Sequence, residues 1–415
     1  MLSIITPLHK PYERYIRECY ESVRAQEDWE WIVVENREGR LPDDIRADPR
    51  VQTVTGGDDD ATQNSIGRLK ALGASKAAGD LLVELDADDL LTPDALEEIR
   101  TAFSDPSVAM VYSNSAHFDA AWQSSGYSDY YGWRQRPFFY QGHELIEMVA
   151  FPCTAEMMRR IEWAPNHVRA WRRAAYEKVG GHNPALKVGD DHDLCCRFFI
   201  AYGPQAIRHI DRCLYLYRTH EANSCNLYNA EVQAQTDRNY LEYSRRIIIR
   251  QAQDDKRALL DLGGRLNAWP GFTTVDRFGA DINTDLNETW PFADSSVGVL
   301  RASHIFEHLR DSVHAMNEAY RVLAPGGWLL LEVPSTDGRG AFQDPTHVSF
   351  WNANSLWYYT DRNWARFIPE YKGRFQVARA VTWFPTEFEK AHNIAILQAD
   401  LIALKGQRQA GEARI

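Results

Sequence analysis

The chain has 415 residues, 44% hydrophobic and 25% charged, a globular composition that excludes a disordered or fibrous protein. Acidic residues outnumber basic ones 58 to 46, for a net charge of −12, and no Lys/Arg block occurs, which argues against phosphate-backbone binding as the main activity. No apolar run reaches the roughly 18 residues of a membrane span, and the six cysteines show neither a disulfide framework nor C-x-x-C zinc spacing. A strand-like run starts at Leu2 and leaves no room for a signal peptide. A cytoplasmic, reducing setting is the expectation.

In chain order, residues 3–6 read as a strand, 12–25 as an amphipathic helix, 30–35 as a β-branched strand, 66–78 as a helix and 81–85 as a short, apolar strand. Strands alternating with helices at this spacing predict βαβ units and a mostly parallel sheet. Ligands of such sheets bind beyond the carboxyl ends of the strands. Thr92 and Pro93 read as the cap and first position of the next helix. Residues 119–133 are polar and carry Tyr127, Tyr130, Tyr131 and Trp133. They read as a long loop or lid, whose rings either pack together or stack on a sugar or a base. The helix–strand rhythm returns over 169–217, with a helix at 193–202 that Asp190 or Asp191 would cap. Residues 227–257 are polar with helical periodicity. A second α/β pattern then follows, with strands at 259–262, 273–276, 297–301 and 328–333 and a helix at 312–323. The division falls near residue 250: a first domain over 1–226, a helical linker over 227–256, a second domain over 257–405 and a flexible tail over 406–415.

The strongest chemical signal lies at the end of the 81–85 strand, where Asp86, Asp88 and Asp89 follow one another. Two-residue spacing in extended chain puts Asp86 and Asp88 on one side, facing one ligand. Such oxygens suit a hard divalent cation, and a pyrophosphate needs that cation to offset its charge, because no Gly-rich phosphate loop is present. The alternative is a solvated acidic turn before the next helix.

Residues 1–225 resemble a family 2 glycosyltransferase of the GT-A fold. The resemblance is carried by Ser3-Ile4-Ile5-Thr6-Pro7, Trp31-Ile32-Val33-Val34-Glu35, Ala77-Ala78-Gly79-Asp80, Asp86-Ala87-Asp88-Asp89, Val179-Gly180-Gly181-His182-Asn183 with Gly189-Asp190-Asp191-His192-Asp193-Leu194, and Tyr217-Arg218-Thr219-His220. It implies that Thr6, Pro7 and Glu35 line the pocket for base and ribose, although Glu35-Asn36 replaces the family's usual pair of aspartates. It further implies that Lys70 lies near the diphosphate, that Asp86 and Asp89 belong to the nucleotide-sugar site with Asp86 on the ribose, and that Asp88 and His220 ligate Mn²⁺ or Mg²⁺. Asp191 would be the general base of a direct, inverting displacement. For Asp191 the alternative is a helix cap, and for His220 a loop histidine bonded to backbone.

Residues 257–405 resemble a class I S-adenosylmethionine-dependent methyltransferase, on Leu259-Leu260-Asp261-Leu262-Gly263-Gly264, Val275-Asp276, Asp285-Leu286-Asn287-Glu288, Trp290-Pro291-Phe292, His304-Ile305-Phe306-Glu307-His308-Leu309 and Arg321-Val322-Leu323-Ala324-Pro325-Gly326-Gly327. Asp344-Pro345-Thr346-His347 is similar to a loop found late in such domains. The resemblance implies that Asp261, Gly263, Gly264, Asp276 and Asp285 meet S-adenosylmethionine. Three departures weaken this: Arg265 replaces a glycine and could fill the methionine pocket, only eleven residues (265–275) precede Asp276, and Gly298 stands where an acid is common.

The expectation is therefore two α/β domains: a GT-A glycosyltransferase with a Rossmann-like, mostly parallel sheet, then a methyltransferase-like Rossmann domain. The second would be either active with S-adenosylmethionine or retained for docking, dimerisation or acceptor binding. The donor expected from the resemblance is a UDP-sugar, and the acceptor a surface glycan or lipid-linked sugar. A hydroxymethylated base in phage-type DNA is the alternative acceptor, and a bifunctional enzyme, a methyltransferase with a nucleotide-binding half, or a pair of glycan-binding scaffolds are the rival readings.

Overall fold

The strand β1 (Leu2–Leu8) is buried at all seven positions, the pattern of a strand covered on both faces. It pairs in parallel with β2 (Trp29–Glu35) on one side and β4 (Leu81–Glu84) on the other, and β3 (Val51–Thr55) extends the sheet beyond β2. The shared direction of β1 and β4 brings their carboxyl ends to one edge, which is where the acidic turn begins. On the far side of β4, β9 (Arg169–Arg172) runs antiparallel between β4 and β6 (Met110–Phe118). Next to β6 lies β10 (Ile207–Arg218), with the short β5 (Leu90–Leu91) at the edge.

The computed structural model describes residues 1–56, 65–159, 165–408 and 410–413. They form two compact units, Met1–Ile247 and Ile248–Ile415, and the helix Asn229–Asp254 contains the division between them.

Within the first unit, the helix Ile16–Arg24 turns Ile16, Cys19, Tyr20 and Val23 into the core at helical spacing. It starts later than residue 12 because Pro11 opens a separate 3-10 turn, Lys10–Tyr12. The helix after the acidic turn, Ala95–Phe103, has Asp94 at its cap position; Thr92 donates its hydroxyl to Asp94 rather than capping the helix itself. In the 119–133 loop Trp133 is buried, packing 4.4 Å from Phe151 and 4.9 Å from Tyr127, so this part is a packed loop. A hairpin of β7 (Arg134–Tyr140) and β8 (His143–Val149) follows, turning at Gln141 and Gly142 with φ of 48° and 87°. Two consecutive positive φ values give a turn matching the strands' twist.

The second unit holds a seven-stranded sheet. Its β11 (Ala258–Leu262), β12 (Thr273–Asp276), β13 (Ile282–Asn283), β14 (Val297–Ser303) and β15 (Leu323–Pro334) are parallel. Two more strands, β16 (Phe375–Trp383) and β17 (Ile396–Ala403), complete the order β13-β12-β11-β14-β15-β17-β16, with β17 antiparallel to both neighbours. No helix joins β11 to β12, as the short spacing predicts. Gly298 is forced by packing: a side-chain carbon there would lie 2.6 Å from Ala252 Cβ and 2.8 Å from Arg257 Cβ. Residues 410–413 do not trail as a tail. Glu412 is buried against Arg374, and the Ala413 N–H donates to Gln376 Oε1 at 2.8 Å. Among the described residues, no helix is long and apolar enough to cross a membrane.

Candidate active site

The three aspartates after β4 take three different places. Asp89 is buried; its carboxylate accepts the Tyr215 hydroxyl and the Arg218 backbone N–H, both at 2.7 Å. Both its oxygens are thus engaged by β10, so Asp89 fastens the turn, while it also lines the crevice beside it. Asp86 is half-buried at a crevice it shares with Pro7, Lys70, Asp88 and Asp191. Burial raises the Asp86 carboxyl to about 6; Lys70 opposes the rise while Asp88 and Glu84 add to it.

Asp88 Oδ2 lies 2.8 Å from His220 Nε2 and 3.4 Å from Asn223 Nδ2. The His220 ring is fixed by stacking on Tyr15, centroids 5.1 Å apart. The turn is held by Arg218, whose Nε–H donates to the Asp88 carbonyl at 2.8 Å. Adjacent ligands of an octahedral cation with bonds of about 2.1 Å stand about 3 Å apart. The Asp88–His220 pair fits that spacing, and the exposed edge of Asp86 adds an oxygen on the same crevice. A diphosphate and water would complete the coordination.

Behind this edge is a buried charge network centred on Glu84, the last residue of β4. Glu84 accepts from Arg169 Nε at 3.1 Å and from His182 Nε2 at 2.6 Å, and lies 3.3 Å from Lys70 Nζ. Burial alone would raise the Glu84 carboxyl, but Lys70 and Arg169 hold it well below the usual range. Burial would likewise lower Lys70, yet Glu84, Asp86, Asp190 and Asp191 together keep its ammonium above the ordinary lysine range.

The helix Asp190–Tyr202 starts three residues before the predicted start, behind Gly189 in the left-handed region at φ 68°. Asp191 therefore sits in the first helical turn. Its Oδ2 accepts from Arg169 at 2.6 Å, and its Oδ1 accepts the His192 N–H at 2.7 Å. Burial raises this carboxyl, but Arg169 and Lys70 prevail and bring it to about 2. Its neighbour Asp190 is buried with Oδ2 lacking a hydrogen bond, and burial holds that carboxyl above its usual value.

Two expected pocket residues do not reach the crevice. Thr6 is buried, donating to the Leu85 carbonyl at 2.6 Å and accepting Trp31 Nε1–H at 2.8 Å, so its hydroxyl ties β1 to the start of the turn. Glu35 accepts the Leu41 N–H at 2.7 Å and Arg46 at 2.6 Å, which closes the loop after β2. Pro7 does line the crevice. Glu84, Arg169 and Asn223 complete the site without having been singled out from sequence. Only Glu84 carried a signal, an acid closing an apolar strand.

In the second unit Asp261 is fully buried, with both oxygens 2.8 Å from one guanidinium nitrogen of Arg301, whose head lies over Trp269. Arg265 is exposed beside Gly279, so Arg301, not Arg265, is the arginine over this turn. Gly263 adopts φ 71°, and a side-chain carbon at Gly264 would stand 2.5 Å from Asp261 Cγ. The absence of a side chain at Gly264 therefore serves Asp261 itself. Asp285 accepts the Asn287 N–H at 3.0 Å in a local turn, while Asp276 ends β12 half-buried. Asp276 is the member of this set best placed at a strand end for a ligand.

Comparison with known proteins assigns both halves. Residues 3–166 match the model of Glycosyl transferase family 2, and residues 272–331 match that of a methyltransferase domain. O-antigen biosynthesis protein RfbC of Myxococcus xanthus is 26% identical over 235 residues, which are 54% of this chain and 16% of RfbC. The chain is thus similar to a small part of that relative. Among solved structures, S. aureus TarS 1–349 gives a TM-score of 0.39 at 14% identity, covering 65% of this chain and 75% of TarS 1–349. Its complex with UDP-GlcNAc gives 0.40 at 13% identity, covering 65% and 76%. The first unit thus contains a stretch that matches the glycosyl transferase family 2 model and the second a stretch that matches a methyltransferase model, and both units are α/β as expected.

Proposed function

We propose that the first unit transfers a glycosyl group from a nucleoside-diphosphate sugar, UDP-sugars foremost, to an acceptor hydroxyl on a surface glycan or lipid-linked sugar. One observation carries the reading: within a family 2 glycosyl transferase domain, Asp86, Asp88, Lys70 and Asp191 line one crevice at the carboxyl edge of a parallel sheet, with His220 bonded to Asp88. Asp88 and His220 would hold Mn²⁺ or Mg²⁺, which when bound offsets the charge growing on the departing diphosphate. Lys70, kept protonated by the acids around it, adds a second positive charge behind the leaving group. Asp86 is placed to accept from a ribose hydroxyl.

Asp191 is ionised at neutral pH and oriented by Arg169, so it can accept the acceptor hydroxyl's proton as that oxygen attacks the anomeric carbon. A carboxylate held near 2 is a weak base, so the proton moves late, once bond formation has made the hydroxyl acidic. A single base on the attacking side favours inversion. The five described cysteines are buried and unbridged, which suits a cytoplasmic site of action. For the second unit we infer acceptor binding or docking in preference to methyl transfer, because Arg301 occupies the Asp261 carboxylate.

The test is to incubate the full chain with a panel of nucleotide sugars, Mn²⁺ and glycan or lipid-linked acceptors, following nucleotide release and acceptor mass. Metal-dependent release with one sugar added to the acceptor supports the reading. Release from no nucleotide sugar overturns it.

A further inference from the structure

A second cluster of ligating side chains lies in the second unit, outside the set expected to meet S-adenosylmethionine. Glu307, His308 and His347 each bring one donor atom within 4.8 Å of the others. They are the one such trio of His, Cys, Asp or Glu among the described residues. Glu307 and His308 lie in the turn directly after β14, and His347 follows the short helix Gly340–Gln343 that comes after β15. These strands are parallel neighbours, so both loops emerge at the same carboxyl edge, where doubly wound sheets bind ligands.

The Glu307 side chain is only 2% exposed, yet neither of its carboxylate oxygens has a hydrogen-bond partner. The His304 ring stands 3.3 Å from Oε1, at charge-contact distance but out of hydrogen-bond alignment. The His304 contact offsets part of this buried charge, and a cation on the carboxylate oxygens that lack hydrogen bonds would offset the rest.

The two imidazoles are oriented for the same purpose. His347 Nδ1–H donates to the Ala341 carbonyl at 2.9 Å, and His308 Nδ1 faces the Thr346 carbonyl at 3.3 Å and its hydroxyl at 3.1 Å. A backbone acceptor on Nδ1 leaves the Nε2 lone pair for a metal, the arrangement found behind metal-bound histidines. Asp344 Oδ2, 3.8 Å from His347 Nε2, is too far to take a hydrogen bond but adds negative charge nearby.

We propose that Glu307, His308 and His347 bind one zinc-class divalent cation, with a coordination position left open to water or a substrate oxygen. Two imidazoles and a carboxylate suit a borderline cation such as Zn²⁺ over Mg²⁺ or Ca²⁺, which prefer all-oxygen shells. Tetrahedral ligands with bonds of about 2.0 Å sit about 3.3 Å apart, so small rotations of these side chains from their present spacing close the site. The open position follows from three protein ligands, two of them only partly buried.

Titration of the full chain, stripped with EDTA, with Zn²⁺ against a chromogenic chelator tests this, with Co²⁺ spectra reporting the ligands. The expected result is one equivalent of Zn²⁺ bound below micromolar Kd, weakened at least about 30-fold in His308→Ala and Glu307→Gln. Zn²⁺ should also raise the Tm of the wild type and not that of His308→Ala, a half-buried position where the variant is expected to fold. His220→Ala should keep this equivalent, which separates it from the crevice of the first unit. Absence of tight Zn²⁺ binding in the wild type, or an equal affinity in His308→Ala, overturns the proposal.

Discussion

Asp88 Oδ2 and His220 Nε2 stand 2.8 Å apart although 132 residues separate them in the chain. The contact exists because β5 and the end of β10 pair antiparallel, Leu216 opposite Leu90, which brings the residues just before β5 against those just after β10. Asp89 locks the meeting through Tyr215 and Arg218. A cation site assembled there from two distant segments would be specific to the folded sheet, and its loss should be separable from loss of the fold.

Asp86→Asn should raise stability and abolish turnover. Its carboxyl is raised from the ordinary value to about 6 by burial, so at neutral pH the folded protein carries an ionised group that it disfavours. Between the ordinary carboxylate range and about 6, the unfolded chain binds fewer protons than the native one, and stability falls as pH rises. The substitution should therefore gain on the order of 1–3 kcal/mol at pH 7, with the gain vanishing near pH 4. Thermal melts of both proteins at the two pH values check this. In the wild type, donor use should fall as pH drops through about 6, because the protonated acid no longer serves donor or metal.

Asp191→Asn should lower kcat by about 10²–10⁴-fold while changing donor KM little, since a base contributes to proton transfer and not to nucleotide binding. The low value of about 2 places no limb of the pH profile at Asp191 in the working range. The stability contributed by its ionised form, present above the ordinary carboxylate range, would be lost only as pH falls through about 2. Steady-state kinetics of the variant with a fixed acceptor decide the point; an unchanged kcat removes Asp191 from the chemistry.

Glu84→Gln should destabilise the first unit strongly. The side chain is buried and neutralises Lys70 and Arg169, which are themselves buried. Removing one partner of a buried ion network costs about 3–5 kcal/mol. Urea unfolding monitored by tryptophan fluorescence measures it, and a change under about 1 kcal/mol would show that the network is not structurally important.

S-adenosylmethionine should bind weakly or not at all. Asp261 is closed by Arg301, and the turn after it is packed against its own carboxylate. Calorimetric titration of the full chain with S-adenosylmethionine checks this; micromolar binding would restore methyl transfer as the role of the second unit.

The parallel core of each unit was legible because its strands are rich in apolar and β-branched residues: β1, β4 and β12 lie within two residues of their predicted ranges. The hairpin of β7 and β8 was not, because β7 contains Pro137 and exposes most of its residues, so it reads as loop. The acidic turn was visible as a cluster, but its division of labour was not. Asp86, Asp88 and Asp89 look alike in sequence, and only their partners separate the open acid from the histidine-bonded one and the anchor. Arg169 carried no local pattern at all, since its role depends on Glu84 and Asp191 arriving from other elements. Thr6 and Glu35 sit at strand ends where a ligand contact is reasonable, and short bonds to Leu85, Trp31 and Arg46 turn them inward.

The proposed glycosyl transfer requires the crevice at Asp88 and His220 to hold a nucleoside diphosphate through a divalent cation. Calorimetric titration of UDP into the full chain, with and without Mn²⁺, tests it most directly, alongside Asp88→Ala. Mn²⁺ should tighten UDP binding at least about 10-fold, equivalent to about 1.4 kcal/mol, and Asp88→Ala should abolish this increment. Equal UDP affinity with and without Mn²⁺, or an increment that survives in Asp88→Ala, would contradict it.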